Sequence, residues 1–516
     1  MFGHKNKYGQ YFTPKFVADF MVSMIGKPST AKVLEPCCGE GVFLQSLADK
    51  NFRQVVAYEI DPTLSNTFAV NYLSFISAPI HDRFDVIIGN PPYIRWKNLE
   101  SELKQELVLD SDWQNYFNAL CDYLFIFIIK SIKLLKEDGE LIFICPEYWF
   151  NTKHAQNLRN FMISHGYFSQ IIHFKENKIF DDVTSSIVIF KYTKSTHPNH
   201  KQAIDITVVM GRKTVDTALL NQIASRKSVS GVKFFLQKQF EQDSVWSLQP
   251  IEKLNKIQAF EQKCRSKRTQ KIVRIGDICD IGNGMVSGLD KAFQYSDKAA
   301  NTFEQTHLIQ VVKAKHLKPY WAEQAISYIF IQQPLSQNDF EKNFPNFRNH
   351  LSNFKEKLDN RYQYNRHIPY WEWVFLRNFT LFCKRQPRIF VPCKERISNK
   401  NYFRFAWIES NFFPTQDVTG LLKKDSAKES LEYILAYLNQ DFVFDWLQCK
   451  GVIKGNIVEF SEKPLASIPF YSIDWDDSQA VVLHDEITAL TQQIIKQKDP
   501  TLTTIITEKF KQLMAR

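Results

Sequence analysis

Residues 33–41 read Val33-Leu34-Glu35-Pro36-Cys37-Cys38-Gly39-Glu40-Gly41, and Val42–Lys50 continues with helical apolar spacing. An apolar strand, a tight glycine-containing turn and a helix start bring backbone N–H groups close to a ligand. The loop has Gly39-x-Gly41 instead of a full Gly-x-Gly-x-x-Gly, and an acid, Glu35, leads it. That acid would repel a pyrophosphate and suits a ligand with a cationic end. About 20 residues on, a carboxylate at the end of the next strand can accept both hydroxyls of a ribose; Glu59, in Tyr58-Glu59-Ile60-Asp61, stands at that place. The pair describes an adenosine-containing ligand with a positively charged tail, the chemistry of S-adenosylmethionine.

Working outward, strand candidates fall at Lys32–Leu34, Val55–Ile60, Phe84–Ile88, Leu141–Cys145, Gln170–Phe174 and Ser186–Tyr192. Helix candidates are Pro14–Ile25, with Thr13 as N-cap, then Val42–Lys50, Tyr116–Lys136 and His154–His165. Such alternation predicts an α/β domain with a Rossmann-like, mostly parallel sheet. The last two strands have no obvious helix between them, which predicts an antiparallel edge strand.

The chain has 516 residues, 44% of them hydrophobic, more than one ordinary core holds. The expected division is a catalytic domain over 1–195, a connecting segment over 196–272, an α+β recognition domain over 273–480 and a helical segment over 481–516. The longest apolar run, Tyr123–Ile129, is far short of the roughly 20 residues of a membrane span. Nine cysteines without a Cys-x-x-Cys pair fit a reducing cytoplasm and predict neither a disulfide framework nor a metal site. Residues 1–200 carry 20 Lys and Arg against 21 Asp and Glu, whereas residues 251–400 carry 26 against 14. A basic excess confined to one stretch points to a polyanion such as nucleic acid. Within it, Arg361, Arg366, Arg385 and Arg388 lie among many aromatics and are candidate DNA contacts.

A second motif closes the third strand: Phe84-Asp85-Val86-Ile87-Ile88-Gly89-Asn90-Pro91-Pro92-Tyr93. Two prolines fix the backbone and remove two donors, leaving carbonyls free. The Asn90 side-chain oxygen and the Pro91 carbonyl could then accept both hydrogens of a planar amino group. Tyr93 offers a ring for stacking on a base.

In this order the motifs resemble the γ-class adenine-N6 DNA methyltransferases, the N-6 adenine-specific DNA methylases of restriction–modification systems, in the outline of their Taq-type members. Tyr8-Gly9-Gln10-Tyr11-Phe12-Thr13-Pro14 resembles the family's N-terminal cofactor motif, and residues 7–193 its catalytic domain. Val273–Phe293 and Lys454–Phe470 resemble the start and close of the specificity domain, a looser match over residues 220–480. The resemblance implies S-adenosylmethionine as cofactor, with Thr13 on its carboxylate and Glu35, Pro36, Cys37, Cys38 and Gly39 around its methionine part. Glu59 would hold the ribose and Ile60 the adenine. Asn71-Tyr72 stands where the family has an Asp followed by an aromatic, and Phe127 falls in a region lining the methionine pocket, where a core role is favoured. Asn90, Pro91, Pro92 and Tyr93 would grip the target base, with Phe180, in Ile179-Phe180-Asp181-Asp182, packing on its other face. The implied reaction is direct methyl transfer to the N6 amine of an adenine flipped out of duplex DNA, with no metal. The expected partners are double-stranded DNA and a separately encoded restriction endonuclease, for a monomer in a bacterial or archaeal cell. RNA or protein-glutamine methyltransferases also carry Asn-Pro-Pro-Tyr, and a DNA-binding module with an inactive methyltransferase fold is a further alternative.

Overall fold

A computed structural model describes residue 8 and residues 10–516, apart from 65, 176, 181–185, 198–201, 212–213, 398–399 and 455–456. The chain forms two compact units, Met1–Leu254 and Asn255–Arg516.

The first unit is built on one eight-stranded sheet. Its strands are β1 (Val33–Glu35), β2 (Val55–Ala57), β3 (Phe84–Gly89), β4 (Leu135–Pro146), β5 (Gly166–His173), β6 (Ile187–Lys194), β7 (Ile204–Val209) and β8 (Val232–Gln237), in the order β2-β1-β3-β4-β6-β5-β7-β8. β2, β1, β3 and β4 run parallel, β6 and β8 antiparallel to their neighbours. Alternate side chains of β3 and β4 enter two cores. Phe84, Ile87, Leu141, Phe143 and Cys145 face one, with the helices Leu124–Leu134 and Gln156–His165. Val86, Ile88, Ile142 and Ile144 face the other, with the helices Lys15–Ser23, Val42–Asp49 and Thr217–Ala224. A sheet buried on both faces needs near-continuous apolar strands, which is why these strands read clearly.

Three expectations need correction. The antiparallel strand β6 is not at an edge: it pairs with β4 on one side and β5 on the other. The sheet continues past it because residues 196–272 are not a simple connector; they supply β7, β8 and the helix Thr217–Ala224. Phe240 and Trp246, stacked at 4.3 Å, pack onto Phe168 of β5 and tie this segment into the first core. The expected helix Tyr116–Lys136 is interrupted, because Asn118 Oδ1 accepts Leu120 N and Asp122 Oδ1 accepts Leu124 N. These side-chain turns compete with helical bonding and restart the helix at Leu124.

The second unit is α+β. A four-stranded antiparallel sheet (Ala406–Ile408, Arg388–Pro392, Val418–Lys423, Cys279–Asn283) stands with two three-stranded sheets. The expected C-terminal helical segment is part of this unit: Ala480, Leu483, Ile487 and Ile494 of the helix Ser478–Gln497 share a core with Tyr433, Tyr437 and Phe470. Among the described residues no helix is long and apolar enough to cross a membrane.

Candidate active site

The carboxyl ends of β1, β2 and β3 open onto one cleft, the usual ligand position in an open α/β sheet. Thr13, Glu35, Pro36, Cys37, Cys38, Gly39, Glu59, Ile60, Asn90 and Pro92 line it, with about 970 Å³ of open space including the mouth. The loop after β1 is stitched to the end of β2. Cys38 N donates to Tyr58 O at 2.9 Å, Gly39 N to Glu59 Oε2 at 2.8 Å and Asn66 Nδ2 to Gly39 O at 2.9 Å. Gly41 has φ of 83°, and a Cβ there would lie 2.3 Å from Asn66 Oδ1, so this turn favours glycine.

Two buried carboxylates face the cleft in different states. Glu59 is 4% exposed and is held by Gly39 N on one oxygen and by Asp61 N (2.9 Å) on the other. Glu35 is 1% exposed, and neither of its oxygens has a hydrogen-bond partner. Burial, then the neighbouring charge of Glu59, holds the Glu35 carboxyl well above the usual range. A buried unpaired acid is costly unless a ligand pairs with it. The pair suits a molecule with a cationic centre and a diol.

Asn90 follows β3 directly. Its Nδ2 donates to Tyr11 O at 2.8 Å and to Thr13 Oγ1 at 3.2 Å. A carbonyl can only accept, so the amide nitrogen must face Tyr11, which turns Oδ1 the other way. Oδ1 is buried and unpaired. The Cys37 thiol donates to Asn90 O at 3.3 Å, linking the loop after β1 to the loop after β3. Thr13 therefore serves Asn90 and does not cap the helix Lys15–Ser23; Pro14 holds the N-cap position without a side-chain bond.

Other expected residues lie elsewhere. Pro91 is buried, and neither it nor Tyr93 lines the cleft. The face of Tyr93 is covered: Tyr11 stacks on it at 4.8 Å and 4°, and Phe180, 5% exposed, meets Tyr11 at 6.3 Å. Asn71 and Tyr72 do not reach the cleft. The Asn71 amide is spent on Ala57 O at 3.0 Å, extending the edge of β2, and Tyr72 donates to Leu64 O at 2.9 Å. Ser74 and Phe75, a few residues on, line the cleft with Tyr123 and Leu103, and none of these carries a sequence signal. Phe127 belongs to the core and also to the cleft wall. Gly9, Asp181 and Asp182 lie outside the described residues.

The four arginines of the second unit also divide. Arg388 is 0% exposed and gives its guanidinium to the carbonyls of Phe382, Lys384, Gln386 and Ser410, so it has no surface for a phosphate. Arg361 is half-buried and bonded to the carbonyls of Ser287, Pro369 and Glu372. Arg385 is exposed, and Arg366 is exposed while also donating to Val374 O. Among the described residues no three His, Cys, Asp or Glu side chains gather as a metal site.

Comparison with known proteins identifies the family of the chain. Residues 2–63 match the N-6 DNA methylase family and residues 46–180 the Eco57I restriction-modification methylase family. The type II methyltransferase M.HindII of Haemophilus influenzae is 45% identical over 505 residues, 96% of this chain and 95% of its own. The chain belongs to the type II DNA methyltransferases of restriction–modification systems. A second relative of this methyltransferase, M.HincII of Haemophilus influenzae, is 43% identical over 96% of this chain and 95% of its own. The type IIL restriction-modification enzyme MmeI, solved in complex with DNA, shares the methyltransferase's fold, with a TM-score of 0.58 at 10% identity over 97% of this chain and 71% of its own.

Proposed function

We propose that this methyltransferase transfers a methyl group from S-adenosylmethionine to the N6 amine of an adenine in a specific duplex sequence, protecting that sequence from a separately encoded endonuclease. The supporting observation is Asn90, whose Nδ2 is pinned by Tyr11 and Thr13 while Oδ1 is left as a buried, unpaired acceptor. When bound, S-adenosylmethionine supplies an electrophilic methyl on a sulfonium centre. Glu35 would face its cationic part and Glu59 its ribose hydroxyls, while Ile60 and Phe75 supply apolar walls. Asn90 Oδ1 would accept one amine hydrogen and so help draw the nitrogen lone pair out of conjugation, while the Pro91 carbonyl, expected to accept the other, lies off the cleft. The amine nitrogen held there would take the methyl as the carbon–sulfur bond breaks with its electron pair left on sulfur, and one amine proton would pass to solvent. Oriented acceptors that need no reorganisation during reaction are the larger part of such catalysis.

A flipped base can stack on Tyr93 only after the Tyr11 ring leaves that face. Stacking is worth roughly 1–3 kcal/mol per base, enough to offset much of the unstacking cost. Arg366 and Arg385, both exposed, would meet phosphates.

Methyl transfer from tritiated cofactor to DNA, with nucleoside analysis of the product, tests the reading. The wild-type protein should place label on N6-methyladenine. Asn90→Ala should lose about 10²–10³-fold in rate while still binding cofactor and DNA. Label absent from adenine, or wild-type transfer by Asn90→Ala, would sink the assignment.

A further inference from the structure

Apolar side chains held in water call for an explanation. In the second unit Tyr362 is 70% exposed, Tyr364 43% and Phe375 42%. They adjoin one another: the Tyr362 and Tyr364 centroids are 4.6 Å apart, and those of Tyr364 and Phe375 5.8 Å. The Arg377 guanidinium lies 5.5 Å from the Phe375 centroid.

The backbone beneath these rings is braced from below. Arg361 donates to Ser287 O at 3.1 Å, Pro369 O at 2.9 Å and Glu372 O at 2.6 Å. Gln363 spans the loop, donating to Asp359 O at 2.7 Å and accepting from Ile368 N at 2.8 Å. Phe375 and Val286 exchange both backbone bonds, at 2.8 and 3.0 Å. Gly288, at φ +88°, lets the neighbouring turn close in, since a Cβ there would lie 2.4 Å from Val374 Cγ2. Tyr364 and Asn365 take φ of 54° and 59°, a left-handed pair that costs energy, above all for a tyrosine. Hydrogen bonds and strain are thus spent to keep rings outward instead of in the adjacent core. A rigid loop of this kind is pre-organised for an occupant.

Charge selects the occupant. Residues 357–377 hold four Lys and Arg against two acids, inside the stretch of the chain with 26 basic and 14 acidic residues. Aromatic faces among cations match bases beside phosphates. We infer that Tyr362, Tyr364 and Phe375 form a wedge that stacks on bases at a kinked or opened step of bound duplex DNA, with Arg366 and Arg377 toward the phosphates. The inference rests on the DNA-methyltransferase reading above.

The test uses the full chain and a short duplex carrying the sequence that the protein methylates in an expressing host. Tyr362→Ala removes a ring whose backbone is outside the left-handed region, and Tyr364→Asn keeps a residue that tolerates it. Each should raise the Kd for the duplex about tenfold. The slope of log affinity against log salt should not change, because no phosphate contact is lost. Cofactor affinity and melting temperature should match the wild type, and Tyr362→Phe should restore binding. Wild-type affinity in both alanine and asparagine variants would overturn the wedge. So would a loss of affinity that comes with a flattened salt slope or a lowered melting temperature, or a wild-type dimer that Tyr362→Ala splits. A wild-type protein that neither binds nor methylates any duplex would instead overturn the parent reading.

Discussion

The two units settle their buried polar groups differently. In the first, three of the buried acceptors left unpaired lie on one cleft: both oxygens of Glu35 and Oδ1 of Asn90. In the second, charges are more numerous but largely closed on the protein itself. Arg388 serves four carbonyls, Glu395 pairs with Lys400 and Arg404, and Lys313 pairs with Asp290 and Asp417. A ligand site shows as polarity left unspent, so counting charges finds the region of a nucleic-acid surface but not its contacts. What the second unit leaves open to solvent is an aromatic cluster together with exposed arginines such as Arg385.

The sharpest way to break this comparison is a pair of arginines. Arg388→Ala strands four carbonyls, one buried and three part-buried, and each unpaired buried group costs about 1–3 kcal/mol. Allowing for relaxation, about 3 kcal/mol of stability should be lost, near 100-fold in the folding constant. Arg385→Ala, at an exposed position, should leave the denaturation midpoint unchanged and lower the salt slope of DNA binding by about one unit if it meets a phosphate. An Arg388→Ala protein of wild-type stability with a flattened salt slope would return Arg388 to the DNA surface.

These arginines also show where sequence reading stops. The strands β1, β3 and β4 and the Asn90–Tyr93 turn were legible because buried strands and a Pro-Pro pair leave local signatures. Whether Arg388 meets water depends on Phe382 and Ser410 closing over it, which no local pattern records. Asn71 has the right spacing after Glu59, yet its amide is taken by Ala57 O, and the cleft is lined instead by Ser74 and Phe75. Thr13 precedes a helix as an N-cap would, but its hydroxyl meets Asn90 across the cleft. β8 was missed because it lies at the end of the sheet with most of its residues partly or fully exposed, so its pattern is mixed.

On the cleft side, Glu59→Ala sharpens the contrast by removing a carboxylate that does two jobs. Charge-assisted bonds to a diol contribute roughly 1.5–3 kcal/mol, so the cofactor Kd should rise about 10- to 100-fold by calorimetry. Part of the loss would come from the loop, since Gly39 N and Asp61 N lose their acceptor. Glu59→Gln retains an acceptor oxygen and should fall between the two. Unchanged cofactor affinity in Glu59→Ala would remove the ribose role.

Glu35 carries the smallest effect and the most direct one. Burial and then the Glu59 charge raise its pKa, so the free protein holds a proton at a pH where an ordinary glutamate has lost it. The folded state therefore binds more protons than the unfolded one. That contribution to stability is complete below the unfolded pKa of about 4.3 and is lost as pH rises through the folded value. A sulfonium or ammonium against Glu35 favours the charged form and reverses the balance. Cofactor binding should then release a proton, and Kd should fall as pH rises toward the free-state pKa, by at most about tenfold per unit for one proton. Calorimetry in buffers of different ionisation heat reads the proton directly. Glu35→Gln should bind more weakly, with no proton release and a flat pH profile over the same window. If the wild-type protein bound cofactor without releasing a proton below that pKa, Glu35 would not be the partner of the cationic centre.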